Sequence, residues 1–262
     1  MTIRIDVVGL EVGDRPIRLT VVRPAGPVRA RVAFSHGAFS SPDKYRPLLE
    51  GWAARGLLVA APLHVDSTDH PDRAAYDQVG VWTSRLEDQR AALDWLAGDG
   101  EEGLAAAGHS FGALLALAAG GAVVAAPVSP RDLRAKAVVA LSPPPATPGL
   151  ISAEGFAGLE APALIQTGDA DVLPGFVDDW RMRLLAWEAA QPGDKLSLVL
   201  EGVDHYFGGL ICRPELPGPR QEAGFAEAVA ASADLVLAHA AGDDEAAARL
   251  SQRVADGILT LR

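Results

Sequence analysis

Gly108-His109-Ser110-Phe111-Gly112 sits between a short apolar run, Leu104–Ala107, and a long alanine-rich one that begins Ala113-Leu-Leu-Ala-Leu-Ala-Ala. The first run reads as a buried strand and the second as a buried helix, so the pentapeptide is a tight strand-to-helix turn. A serine in the frame Gly-x-Ser-x-Gly on such a turn is pushed out above a sheet with its hydroxyl free to act as a nucleophile. The flanking glycines follow from the geometry, because a Cβ at either position collides with the neighbouring strand or helix. The pattern thus implies both a fold, strands followed by helices, and a chemistry.

Working outward, apolar runs of strand length alternate with amphipathic stretches. Strands are expected at Ile3–Val8, Ile17–Val22, Arg31–Ser35, Leu57–Ala61, Leu104–Gly108, Ala137–Leu141, Ala163–Thr167 and Leu196–Leu200. Helices are expected at Pro42–Arg55, Tyr76–Ala97, Gly112–Val124, Phe176–Ala190, Gln221–His239 and Asp244–Ile258. The later strands are continuously apolar, as strands covered on both faces must be. The implied architecture is α/β: a mostly parallel eight-stranded sheet with helices on both faces. The first two strands, joined by the short polar turn Glu11–Arg15, form an antiparallel pair at one edge. No repeat, low-complexity segment or linker interrupts residues 1–262, which read as one domain.

The chain has 262 residues, a formal net charge of −11 and one cysteine, Cys212. So acidic a chain, without a compensating Lys/Arg run, repels nucleic acid and anionic lipid. A lone cysteine makes no internal disulfide and no metal cluster, and no secretory signal is visible at the start, which together point to a reducing cytoplasm. Leu104–Pro130 lacks charged residues and has membrane-spanning length. Its His-Ser pair, Gly120-Gly121 and Pro127 fit a helix buried beneath the turn instead, so no membrane insertion is expected.

A serine hydroxyl needs an adjacent base, which a histidine supplies best, and a carboxylate to orient that histidine. Of the six histidines, at 36, 64, 70, 109, 205 and 239, only His205 follows a late strand in a flexible loop, Glu201-Gly-Val-Asp-His-Tyr-Phe-Gly-Gly. His109 lies inside the turn and points away from the Ser110 hydroxyl. For the acid, Asp171 is preferred, since Pro174 starts the next segment and lets the carboxylate turn inward. Asp169, a turn cap, and Asp204, next to the histidine, remain alternatives. Two backbone N–H donors are needed for the oxyanion: Phe111, after the serine, and Ala38 or Phe39 in Ser35-His-Gly-Ala-Phe. Each of these clusters falls just after an expected strand, where open parallel sheets bind ligands.

On these residues the chain resembles the α/β-hydrolase superfamily along nearly its whole length. The Ser-His-Gly-Ala-Phe loop, the Gly-His-Ser-Phe-Gly turn, Gly168-x-x-Asp171-x-x-Pro174 and Asp204-His205 carry the likeness. Pro42-Asp-Lys-Tyr45 and Trp82-Thr-Ser-Arg85-Leu-Glu-Asp88 are similar to the lidless branch that holds dienelactone hydrolase-like, chlorophyllase-like, platelet-activating-factor acetylhydrolase-like and polyester-hydrolase enzymes. There these two stretches are mainly structural. The resemblance implies a serine esterase that cleaves small-molecule carboxylic esters through an acyl-enzyme without a cofactor, by a Ser110-His205-Asp171 triad. An acyltransferase or cofactor-free perhydrolase on the same triad, or a non-catalytic ligand-binding relative, are the alternatives. The serine departs from the cysteine of dienelactone hydrolases proper. Only Pro143–Ala161 lies between the sixth and seventh strands, too little for a cap domain, so the site is expected to be open. Its walls are expected from Phe39, Val172, Leu173, Phe176, Tyr206 and Phe207. No metal site is expected: His64-Val-Asp66 and Asp69-His70-Pro-Asp72 read as a solvated loop.

Overall fold

Strand-length runs with no polar alternation can only be stable if both faces are covered, and the computed structural model shows how the cover is made. It describes residues 2–98 and 103–262. Nine strands form one sheet: β1 (Arg4–Val12), β2 (Arg15–Arg23), β3 (Ala30–Ser35), β4 (Leu57–Pro62), β5 (Leu104–His109), β6 (Ala135–Leu141), β7 (Ala163–Gly168), β8 (Lys195–Leu200) and β9 (Leu259–Leu261). Their order is β1-β2-β4-β3-β5-β6-β7-β8-β9. The six strands from β4 to β8 run parallel, while β1, β2 and β9 are antiparallel to their neighbours.

Helices α1 (Arg46–Ala53), α5 (Glu222–Ala240) and α6 (Asp244–Ala255) cover one face. Helices α2 (Gln78–Ala97), α3 (Phe111–Ala119) and α4 (Leu185–Ala189) cover the other. On the first face Trp52 packs edge-on against Phe34 and donates its indole N–H to Ser232 Oγ at 2.8 Å, tying α1 to α5. Helix α5 has the length and composition of a membrane span, but half of it is buried inside the molecule.

Three sequence expectations change. The sheet has nine strands, not eight, because α6 stops early: Gly257, at φ +73°, takes the left-handed conformation that ends a helix, with Gly257 N–H bonded to Val254 O and Ile258 N–H to Arg253 O. The released residues then pair with β8. The helix expected over Phe176–Ala190 is broken. Asp178 accepts the Gly175 N–H and Asp179 the Arg181 N–H, so side-chain caps replace the first helical turns, and only a 3₁₀ turn (Trp180–Leu184) and α4 remain. The helix after Ser110 ends at Ala119, with Gly121 at φ +116° turning the chain away.

Candidate active site

The Ser110 turn takes the conformation its sequence demands. Ser110 sits at φ +53°, ψ −123°, strained for a residue with a Cβ. A Cβ on Gly108 would overlap the Gly112 carbonyl, and one on Gly112 would overlap the Ser35 carbonyl of β3. The frame is thus held from both sides, and the hydroxyl emerges at the carboxyl edge of the parallel strands.

His205, from the loop after β8, places Nε2 3.0 Å from Ser110 Oγ. Its Nδ1 lies 2.8 Å from Asp171 Oδ1. With Nδ1–H donating to the carboxylate, Nε2 presents its lone pair to the serine hydroxyl. Asp171 Oδ2 accepts from Thr167 Oγ1 at 3.0 Å, and Oδ1 also meets the buried Arg183 guanidinium at 2.7 Å. Burial pushes the Asp171 carboxyl up, but the His205 hydrogen bond and the charges of His205 and Arg183 outweigh it, holding the group at about 2. Burial also lowers the His205 pKa, and Arg183 adds to this, while Asp171 opposes both. The other two aspartates are occupied elsewhere. Asp169 accepts the Gly202 N–H, and Asp204 caps its own loop by accepting from Tyr206 and Gly208.

The two backbone amides expected as oxyanion donors in the loop after β3 differ in their surroundings. The Phe39 amide is engaged by Asp66 Oδ2 at 3.1 Å. The amides of Ala38 and Phe111 have no partner among the described residues. The loop that presents Ala38 is clamped by Arg85 of α2. That guanidinium donates to the His36 and Gly37 carbonyls at 2.8 and 3.1 Å and to both Asp66 oxygens at 2.7 and 3.0 Å. It also lies 4.7 Å from the centre of the Phe111 ring. One side chain therefore touches the segments carrying both free amides.

His109 is fully buried, with its ring centre 4.6 Å from that of His205. Its Nε2 donates to the His205 carbonyl at 2.9 Å, which leaves Nδ1 to accept from Tyr45 Oη–H at 2.7 Å. Tyr45 Oη in turn accepts the Gly37 N–H at 3.0 Å. An unbroken chain of three hydrogen bonds thus joins the Ala38 loop to the backbone of His205. The resemblance marked the stretches holding Tyr45 and Arg85 as structural, but no local pattern in the sequence signalled the contacts that Arg85, His109, Tyr45 and Arg183 make.

The array opens into a cleft of about 530 Å³. Phe39, Leu173, Phe176 and Tyr206 line it, and Ala38, Ser110, Phe111 and His205 contribute to its wall. Two expected wall residues do not. Phe207, at φ +53°, turns inward and packs edge-on against Phe225 in the core, and Val172 is exposed outside the cleft. Lys44, Arg213 and Glu215 add charge to the rim.

The loop after β4 corrects another expectation. His64 and Asp66 are buried, not solvated. Asp66 serves Arg85, while His64 places Nδ1 2.9 Å from Asp88 Oδ2 and Nε2 3.1 Å from Ser35 Oγ. Ser35, His64 and Asp88 reproduce the order of the open array, yet all three are enclosed. Among the described residues no group of three or more His, Cys, Asp and Glu is placed to hold a metal ion.

No protein-family model matches the sequence, and neither does any curated protein sequence. Solved structures do resemble it. A dienelactone hydrolase from Anabaena variabilis superposes with a TM-score of 0.66 at 19% identity, over 91% of this chain and 99% of that one. An alpha-beta serine hydrolase homologue from Coxiella burnetii gives 0.61 at 18% identity, over 86% and 95%. Thermogutta terrifontis esterase 2, phosphonylated by cyclosarin, gives 0.58 at 20%, over 85% and 90%. At these identities the likeness establishes the fold: the chain has the α/β-hydrolase fold.

Proposed function

We propose that the protein is a serine hydrolase that cleaves small-molecule carboxylic esters through an acyl-enzyme. The observation that carries this reading is the alignment of Ser110 Oγ, His205 Nε2 and Asp171 Oδ1 at 3.0 and 2.8 Å on the wall of an open cleft beside two unengaged amides. Ser110 Oγ attacks the ester carbonyl carbon and its proton passes to His205 Nε2. The carbonyl oxygen becomes an oxyanion that accepts from the Ala38 and Phe111 N–H groups, each worth about 10²–10³ in kcat at such sites. Collapse breaks the bond to the alcohol, which leaves with the proton from Nε2. A water molecule then repeats the sequence on the acyl-serine and releases the acid. No step calls for a cofactor. Asp171 stays ionised throughout, holding the Nδ1–H tautomer and the imidazolium that forms. The names of the structural neighbours, a dienelactone hydrolase, a serine hydrolase homologue and an esterase, agree with this reading.

The test is hydrolysis of p-nitrophenyl acetate by the wild type and Ser110→Ala. Removing the nucleophile is expected to lower kcat by about four to six orders of magnitude. Turnover by the variant near that of the wild type would sink the mechanism.

A further inference from the structure

A second concavity, about 1190 Å³, runs on from the cleft. The two share Ala38, Phe39, Thr68, Phe111, Thr147 and Leu150 as walls, but neither Ser110 nor His205 reaches the groove. It is therefore entered past the residues that carry the two free amides. One side is the start of α2 with the turn before it, including Tyr76, Val79 and Trp82. The other side is formed by Ala125–Pro127 and Thr147–Leu150. Trp82 is its floor: the ring stacks on Phe111 at 5.7 Å between centroids, and its indole N–H donates to Ala125 O at 2.6 Å, joining the two sides. Val79 projects into it 72% exposed, and Phe39 stands exposed at the boundary with the cleft. The lining is mostly apolar, with Asp66, His70, Arg73 and Asp77 also contributing, and a concavity of this size that runs on from the cleft marks a binding site.

The stereochemistry of the proposed reaction says which part of an ester it takes. The leaving oxygen must reach His205 Nε2 to collect its proton, so the alcohol lies on the His205, Tyr206 and Arg213 side of the cleft. The oxyanion points at the Ala38 and Phe111 amides. The remaining substituent on the carbonyl carbon, the acyl chain, is directed past those residues. We infer that the groove between the start of α2 and Thr147–Leu150 is an acyl subsite, and that the substrates are esters of long or bulky apolar acids. This rests on the esterase reading above and adds the class of acid. Open access alone fits short acids equally well; the groove's volume and its apolar residues favour long ones.

Each methylene transferred from water to such a surface strengthens binding about fourfold. The experiment measures kcat/KM for p-nitrophenyl acetate and decanoate, below the solubility limit of the latter, for the wild type, Val79→Leu and Val79→Asp. An acid at the second position of α2 suits the helix dipole, so Val79→Asp is expected to fold. The readout is the decanoate-to-acetate ratio within one preparation, from which the fraction of folded protein cancels. The wild-type ratio is expected to exceed ten, Val79→Leu to keep it, and Val79→Asp to lower it tenfold or more. Labelling rates with a decyl against a methyl alkyl fluorophosphonate should move in parallel. Acetate hydrolysis with a flat chain-length profile, or a ratio untouched by Val79→Asp, overturns the acyl subsite alone and leaves the groove to another occupant. Absence of both ester turnover and probe labelling overturns the esterase reading, and the subsite with it.

Discussion

Arg183 and His205 share one oxygen of Asp171, and the sharing bears on the pH at which the site works. Burial is the largest influence holding the His205 ring neutral, and the Arg183 charge adds to it. A general base acts only when neutral, so a pKa below the usual 6.5 keeps it competent into mildly acid solution. The acid limb of kcat/KM is expected to fall below pH 6.5, with activity lost as the pH drops through it. Replacing Arg183 with Gln removes a cation beside the imidazolium and should move that limb upward. A wild-type limb at or above 6.5, or a downward shift in the variant, would contradict this account. Ser110 and His205 were readable because their chemistry leaves a local mark: glycines two residues to either side in one case, a post-strand loop in the other. Arg183 left none. An arginine in a polar segment is ordinarily solvated, and only the fold reveals that this one is enclosed against Asp171 and the Ser142 carbonyl.

Helix α2 carries residues beside the site that helical periodicity alone does not reveal. Its buried face, Trp82, Arg85, Gln89, Leu93 and Leu96, has helical spacing, yet it carries polar residues because Arg85, Asp88 and Gln89 meet Ser35, the His36 and Gly37 carbonyls and His64 at the ends of β3 and β4. Arg85 turns that polar face into a clamp on the Ala38 loop. Arg85→Lys keeps the charge but not the planar fork that holds two carbonyls and two carboxylate oxygens together. The expected result is a kcat lower by about ten- to a hundredfold with KM changed only a few-fold, the signature of weakened transition-state contacts. An unchanged kcat would mean that the loop holds its shape unaided. Other departures from the expected elements have local causes. Gly257 already marked the end of α6, and Asp178-Asp179 already offered the caps that break the helix expected at Phe176. Strand β9 was hidden because three residues are too few to show a period.

Across the whole molecule, a parallel sheet gathers every loop that follows β3, β5, β7 and β8 at one edge, which is why residues spread from Ala38 to His205 meet. Strand–helix alternation made that much legible from composition and period alone. Enclosure was not legible, and it decides between two arrays of the same residue types. His64 lies within hydrogen-bond reach of both Ser35 and Asp88, but all three are sealed in the interior. A fluorophosphonate probe followed by peptide mass mapping should modify Ser110 and leave Ser35 untouched. Modification of Ser35 in the folded protein would show that solvent reaches it. The hydrogen-bond chain from Gly37 through Tyr45 and His109 to the His205 carbonyl has a consequence for recombining this scaffold with other proteins of the same fold. The His36–Phe39 and Asp204–Tyr206 loops, 165 or more positions apart on the chain by their numbers, form a single heritable unit. A chimera that imports one of them without its partner, or without Tyr45 and His109, inherits a misaligned pair. Library designs should cross over outside all four segments together.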